Sequence, residues 1–272
     1  MGSISIVFSR DSTRVLTLFL DSDHFSVWSV PDGQLMAVNR GERYGDGGSC
    51  SADFGVPGSA SAGLIGFGTC NGTVDLWDVV KPRKGEASRP RQRSRVDIAP
   101  GEDSRFESFA FSGDGSKFLA ACISVAYAYD LASLTQLGAY STPTYWKSAD
   151  WAPAGLRVLL SQRNNMCLWD FSRPEAPPVV TADVRPGARF CSWSPNGASY
   201  FVSRKLEGQA PEGPATYALE KRRAADGSLQ VSLAVNLIPG NDFPRVSWSP
   251  DLHALVLARF DGDFAPRVMV FN

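Results

Sequence analysis

The strongest chemical signal in the sequence is a basic run at residues 81–95. It contains seven basic residues and one acid, a net charge of +6, so the remainder of the chain carries −7 to give the total of −1. The basic residues are Lys81, Arg83, Lys84, Arg89, Arg91, Arg93 and Arg95. Clustered arginines make charge-assisted, salt-sensitive contacts with carboxylate or phosphate groups. The run is therefore the first candidate for a binding site.

Several interpretations of residues 81–95 are open. The run is too rich in Pro and Arg to order by itself, so we expect a loop insertion that ends where an apolar strand begins at Val96. It could be a nuclear-localisation signal, a docking loop for an acidic partner, a phosphate contact to RNA, or a solvated loop without a function. Because no aromatic residue is interleaved with the charges to stack on bases, a protein partner is favoured over RNA.

Catalysis has little support in the sequence. The chain has two histidines, His24 in a polar segment and His253 at the start of a strand, and they suggest neither a metal site nor a general base. The run Gly66–Gly72 resembles a dinucleotide-binding glycine motif, but its last glycine is one position late and a strand follows it. We interpret it as a hairpin whose Asn71-Gly72 pair forms a type I′ turn. The sequence predicts a non-enzyme without cofactor or metal.

The cysteines and the apolar segments bear on the compartment. The five cysteines are widely spaced, without a C-x-x-C pair, which predicts reduced thiols rather than a disulfide framework or a zinc site. The first residues lack the features of a signal peptide, and the longest apolar run, 15–20, is too short to span a bilayer. We therefore expect a cytoplasmic or nuclear protein that is not inserted in a membrane.

Six copies of one unit organise the chain. Each begins with a strand ending in an aromatic residue, followed by a polar turn, a second strand, another turn and a third strand closed by an aromatic. The opening aromatics are Phe8, Phe54, Phe111, Trp151, Trp193 and Trp248. The closing aromatics are Trp28, Trp77, Tyr129, Trp169, Tyr217 and Phe271. Further β-like runs follow at 35–38, 96–98, 134–140, 179–181 and 231–237. Units of about 45 residues with four strands each predict an all-β fold, a β-propeller.

The predicted propeller has about six four-stranded blades in a single domain, residues 1–272, with loop insertions at 81–95 and 204–228. The second insertion is rich in Gly, Ala, Pro and charge, so we expect it to be disordered. The sixth copy lacks an outer strand. Its blade could be three-stranded, the chain could be a piece of a longer one, or another segment or chain could supply the strand or a seventh blade.

The repeats resemble those of the WD-repeat family of β-propellers. The residues that carry the resemblance are Gly72–Asp78, Met166–Asp170 and the Ser-Pro-Asp/Asn turns that follow Trp193 and Trp248. No copy has the Gly-His dipeptide usual in the family, so its buried hydrogen-bond network is not expected, and the blades should rely on apolar packing. The resemblance implies a protein-interaction scaffold.

By the same resemblance, several residues lie in loops like the partner-binding loops on the top face of the family. They are Tyr44, Arg105, Phe106, Tyr145, Trp146, Lys147 and Arg163. Exposed aromatic and arginine side chains are the usual hot spots of protein interfaces. We therefore expect a non-catalytic scaffold that binds other proteins of a multi-subunit complex. The alternative is an RNA- or ribonucleoprotein-associated factor that uses residues 81–95.

Overall fold

The structure is a computed structural model. It describes residues 4–19, 24–40, 49–79, 88–98, 106–142, 146–162, 165–173, 176, 178–183, 188–194, 196–206, 215–237, 245–248, 255–260 and 266–271. The chain forms two compact units, Met1–Trp146 and Lys147–Asn272. The described residues form strands, turns and bends, with no helix among them. Accordingly, no described segment is a helix of the length and apolarity needed to cross a bilayer.

The first unit contains three antiparallel sheets, each built from four strands that are consecutive in the chain. Sheet 1 consists of β1 (Ile4–Phe8), β2 (Arg14–Phe19), β3 (His24–Ser29) and β4 (Leu35–Arg40). Sheet 2 consists of β5 (Ser49–Phe54), β6 (Leu64–Thr69), β7 (Thr73–Asp78) and β8 (Arg91–Asp97). Sheet 3 consists of β9 (Phe106–Phe111), β10 (Lys117–Cys122), β11 (Val125–Asp130) and β12 (Gln136–Ser141).

The second unit repeats this pattern twice and adds a smaller sheet. Sheet 4 consists of β13 (Trp146–Trp151), β14 (Arg157–Gln162), β15 (Asn165–Asp170) and β16 (Val179–Asp183), and begins at the last residue of the first unit. Sheet 5 consists of β17 (Ala188–Trp193), β18 (Ser199–Lys205), β19 (Ala215–Arg223) and β20 (Leu229–Leu237). Sheet 6 has three strands among the described residues, β21 (Arg245–Trp248), β22 (Leu255–Phe260) and β23 (Pro266–Phe271).

The all-β prediction is confirmed, and five of the sheets have four antiparallel strands. Three local predictions are wrong. Residues 91–95 belong to β8 rather than to a loop, and β18, β19 and the turn after β19 account for most of 204–228. The hairpin at Asn71-Gly72 is present, but Gly72 alone of the two has a positive φ (81°), so the turn is not type I′.

A recurring serine fixes the turn between the first two strands of sheets 1, 3 and 5. The Ser9 Oγ donates to Asp11 Oδ1 (2.6 Å) and accepts from the Arg14 N–H (2.9 Å). The same pair of bonds links Ser112 with Asp114 and Lys117, and Ser194 with Asn196 and Ser199. The hydrogen bond from Ser9 lowers the pKa of Asp11. This geometry explains why Asp or Asn follows each of these serines by two positions.

Apolar side chains fill the space between successive sheets within each unit. Leu16, Phe25 and Val27 of sheet 1 form one buried cluster with Phe54 and Phe67 of sheet 2. Two other clusters join sheet 2 to sheet 3 and sheet 4 to sheet 5. In sheet 2 every residue of β6 is buried, because neighbouring sheets cover both of its faces. The core is thus a series of layers between sheets.

Gly66 and Gly68 of β6 permit the close approach of sheet 3. An added Cβ at Gly66 would lie 2.2 Å from Cε1 and 2.3 Å from Cζ of Phe109, and one at Gly68 would lie 2.7 Å from Cβ of Phe106. Non-bonded carbon atoms do not approach so closely, so these two positions have room for the hydrogen of glycine but not for a Cβ. The glycines that resemble a nucleotide-binding motif therefore have a packing role.

We expect Gly66→Ala to lower the free energy of unfolding by about 1–3 kcal/mol through overpacking against Phe109. Urea denaturation checks this. Phe109→Leu removes ring atoms nearest to the new methyl group, so the double variant should be more stable than the sum of the two single changes predicts. Strict additivity would contradict the contact.

Candidate protein-interaction face on strand β8

Strand β8 exposes its arginines at the edge of sheet 2. It follows β7 as the last strand in the sheet order, and no other described strand pairs with it. Exposure alternates along β8, with Arg91, Arg93, Arg95 and Asp97 exposed and the residues between them half-buried. The pleat is not regular along β8, because the β7–β8 register shifts by one residue between Leu76 and Trp77, so that Arg91 lies opposite Asp78 and Arg95 opposite Asp75. The inward face carries Val96, which packs against the buried cluster between sheets 2 and 3.

Arg95 is held inside the sheet rather than free for a partner. Its Nε and Nη2 donate to Oδ1 and Oδ2 of Asp75, each at 2.6 Å, and the two residues face each other in the β7–β8 register. Asp75 is buried, with 4% of its surface exposed. A bidentate pair of this kind satisfies a carboxylate that would otherwise be costly to bury. Arg95 is therefore a structural residue, which corrects its assignment to a mobile basic loop.

The other three arginines are less constrained. Arg93 lies 4.0 Å from Asp78 in an exposed ion pair, which contributes little to stability. Arg89, just before β8, and Arg91 are exposed and form no ion pair with another residue that the structure describes. We call Arg89, Arg91 and Arg93 the arginine face.

The segment that leads into β8 is anchored to sheet 1. Ser88 pairs with the edge of β4, where its N–H donates to Met36 O (2.8 Å) and its O accepts from the Val38 N–H (3.2 Å). This bridge fixes the chain at the residue directly before the arginine face. Residues 88–95 are therefore ordered and anchored, whereas Lys81, Arg83 and Lys84 lie outside the described residues.

Two residues that were expected to be exposed are completely buried. Phe106 and Trp146 each have 0% of their surface exposed. Phe106 begins β9 and packs in the cluster between sheets 2 and 3. The Trp146 ring lies against the Tyr140 ring, with centroids 5.8 Å apart, and the backbone N–H of Trp146 donates to Ile123 O (3.0 Å). Both are core residues, so the prediction that they contact a partner is wrong.

The remaining residues assigned to the partner-binding loops are not placed by the structure. Tyr44, Arg105, Tyr145 and Arg163 lie outside the described residues. Lys147 lies on β13, where its backbone is described. The top-face site therefore stays a prediction for these five residues.

The sequence analysis missed a polar connection between sheets. Asp53 of β5 accepts from the Phe111 N–H of β9 (2.9 Å), and Asp150 of β13 accepts from the Trp193 N–H of β17 (2.8 Å). Each aspartate thus binds the backbone of the next sheet within its own unit. The signal was present as a repeated Ser-Ala-Asp-aromatic sequence, at 51–54 and 148–151. The expectation that the sheets rely on apolar packing instead of buried hydrogen bonds is corrected at these positions.

The surroundings of Asp53 compensate in part for the burial of its carboxylate. Burial raises the pKa of Asp53, while the Arg10 guanidinium and the N–H groups of Phe111 and Phe54 act in the opposite direction. Arg10 also donates to Phe111 O (2.7 Å), so that both backbone groups of Phe111 are bound by side chains from other sheets. Sheets 1, 2 and 3 are thereby joined by hydrogen bonds as well as by apolar contact.

The state of the cysteines differs from the expectation of reduced thiols. Cys70 is disulfide-bonded, whereas Cys122, Cys167 and Cys191 are free and buried. Burial raises the pKa of Cys167 to about 11 and that of Cys191 to about 12. These two thiols are protected from electrophilic reagents, which react with the thiolate form.

A thiol titration tests this assignment. We expect the denatured, unreduced chain to react at three cysteines and the reduced chain at all five. The folded protein at pH 8 should not react at Cys167 or Cys191, because their raised pKa values keep them protonated. Five reactive thiols before reduction would show that Cys70 is reduced.

Other candidate chemistry is sparse in the described part of the chain. His24 begins β3 rather than lying in a polar loop, and His253 lies outside the described residues. Among the residues that the structure describes, no three His, Cys, Asp or Glu side chains form a group that could hold a metal ion.

No protein-family model matches the sequence, and a search of curated proteins finds no significant similarity.

Proposed function

We propose that this chain is a non-catalytic protein-interaction scaffold, a WD-repeat-like β-propeller of about six blades in which the arginine face binds an acidic partner segment. The observation that carries the proposal is the group of exposed arginines on and just before the edge strand β8, of which Arg89 and Arg91 have no acidic partner among the described residues. We place the protein in the cytoplasm or nucleus, as a subunit of a larger complex.

The propeller interpretation is supported by the repetition of one sheet type. Five consecutive four-stranded antiparallel meanders pack through apolar layers within each unit. The aspartates Asp53 and Asp150 recur at equivalent positions on the first strands of sheets 2 and 4. Such a rigid repeat suits a scaffold, because it holds surface residues in a fixed arrangement while their identity varies.

The arginine face is suited to an extended acidic segment. An added strand would pair with the open edge of β8 through main-chain hydrogen bonds, which are insensitive to sequence. Acidic side chains at alternate positions of an extended segment repeat every ~6.7 Å, so neighbouring ones could reach Arg91 and Arg93. Each guanidinium can bind a carboxylate bidentately, so the arginines would select acidic sequences.

A peptide-binding experiment tests this proposal. The full chain is titrated, by fluorescence anisotropy, into a labelled peptide of Glu-Thr repeats, with a Gln-Thr peptide and a uridine oligonucleotide for comparison. We expect the Glu-Thr peptide to bind best and Arg91→Glu with Arg93→Glu to weaken it on the order of tenfold, the effect of reversing two exposed ion pairs.

A matched variant separates local contacts from overall charge. Arg173→Glu with Arg223→Glu changes the net charge by the same amount at two other exposed arginines, and should bind the Glu-Thr peptide as the unmodified chain does. Equal weakening by both double variants would contradict the proposal. Tighter binding of the oligonucleotide, lost in the β8 variant and steeply dependent on salt, would favour the RNA alternative.

A further inference from the structure

Strand β20 exposes an apolar row at the outer edge of sheet 5. Leu229, Val231 and Leu233 are 52%, 56% and 41% exposed, although they are large hydrophobic residues. The strand is the last in the order β17-β18-β19-β20, and no other described strand pairs with its outer edge. With nine residues it is about 30 Å long. Apolar rows of this length on a free edge are uncommon in monomeric proteins.

This edge lacks the features that discourage association. The residues of β20, from Leu229 to Leu237, include no charged residue and no proline. By contrast, the edge strand β8 exposes three arginines, and β4 is bridged by Ser88. Because charges and prolines normally protect strand edges from other strands, β20 is open to one.

The sequence of β20 is self-complementary. Read in either direction from Leu233, it gives the same pattern, with valines two positions away and leucines four positions away. The intervening positions also correspond, since Gln230 is matched by Asn236 and Ser232 by Ala234. A two-fold axis through Leu233 would set Leu233 opposite its copy and Val231 opposite Val235, within the part of β20 that follows the register shift between Leu229 and Val231.

We propose that β20 pairs with β20 of a second copy of this chain, antiparallel about a two-fold axis at Leu233, so that two copies of sheet 5 form one eight-stranded sheet. Electrostatics permits this arrangement because β20 is uncharged, whereas pairing two copies through β8 would set arginines opposite arginines.

The size of the contact sets its strength. The regular part of the pair, residues 231–235 in each copy, makes about four to six main-chain hydrogen bonds, which is at the low end for an interface. The buried area would be on the order of 1,000 Å², at the lower limit for a stable dimer. We therefore expect a reversible dimer with a dissociation constant in the micromolar range.

Sedimentation velocity of the full chain, from low to high micromolar concentration, tests the dimer. The sedimentation coefficient should rise with concentration, and Val231→Lys with Leu233→Lys should hold the chain monomeric by setting lysines near the axis. The control is Val179→Lys, since Val179 of β16 is 65% exposed and belongs to another sheet edge. This control should dimerise normally, and circular dichroism checks that each variant is folded.

A distance measurement tests the register. A spin label attached through Leu229→Cys should lie about 27 Å from its copy, eight residues along the paired strands, whereas labels attached through Leu233→Cys should be adjacent. A chain that stays monomeric throughout, a dimer that persists in the lysine variant, or labels that depart from these distances would each overturn the proposal. Binding of a foreign strand by a monomeric chain would also overturn it.

Discussion

Replacement of Trp146 by alanine should lower the free energy of unfolding by about 3–5 kcal/mol, the usual cost of deleting a fully buried aromatic side chain. The side chain has 0% exposure and lies against Tyr140 at the start of β13. Its loss would leave a cavity in the core, which adds to the lost burial of the indole ring. Urea denaturation measures the effect, and the slope of the unfolding free energy against urea concentration should be the same as for the unmodified chain.

Trp28→Ala is the matched control, because Trp28 is 36% exposed and should cost much less. Trp146→Phe separates the core role from the partner-binding role first expected for this residue. This substitution keeps most of the buried apolar surface of the side chain and removes an indole N–H that has no hydrogen-bond partner among the described residues. We expect this variant to bind the Glu-Thr peptide normally. Weaker binding at unchanged stability would restore Trp146 as an interface residue.

Removal of the Asp53 carboxylate should have the second largest effect. Asp53→Ala leaves the Phe111 N–H without its acceptor and removes the bond from the Phe54 N–H (2.8 Å). Hydrogen bonds to a charged group contribute about 1.5–3 kcal/mol each, so we expect a loss of about 3 kcal/mol. Asp150→Ala should behave similarly, because Asp150 also accepts from Ser192 Oγ (3.0 Å).

Asp53→Asn keeps an acceptor and should be milder than Asp53→Ala. It also tests the raised pKa of Asp53, since a carboxyl that binds its proton more tightly when folded stabilises the protein below pH 3.8 and loses that contribution as pH rises through the folded pKa. The stability of the asparagine variant relative to the unmodified chain should therefore increase with pH over this interval. A decrease would contradict the burial of this charge, and Asp226→Ala at an exposed turn is the control.

The repeated aromatics and turns were sufficient to predict the strands. The spacing from Phe111 to Tyr129, for example, predicts β10 and β11 correctly, because the serine turn and the pleat are local properties. An aspartate that directly follows a closing aromatic residue also has a local role. Asp170, which follows Trp169, accepts from the Ser172 N–H (2.9 Å) in the next turn.

Burial was harder to predict than strand position. Phe106 and Trp146 stand at the ends of polar segments, so the sequence suggested exposure, but both are completely buried, Phe106 in the cluster between sheets 2 and 3. Likewise, Arg91 to Arg95 look like a disordered basic loop until β7 supplies the hydrogen-bonding edge and Asp75 the counter-charge. These outcomes depend on contacts between distant segments, which local composition does not contain.

Affinity purification from the native cell tests the interaction function most directly. The tagged chain is compared with Arg91→Glu/Arg93→Glu and with the charge-matched Arg173→Glu/Arg223→Glu, before and after ribonuclease treatment, by quantitative mass spectrometry. We predict a stoichiometric set of proteins with acidic segments that resists ribonuclease, persists in the charge-matched variant and is lost in the β8 variant. Equal recovery with both variants, or loss of the whole set on ribonuclease treatment, would contradict a scaffold that binds proteins through the arginine face.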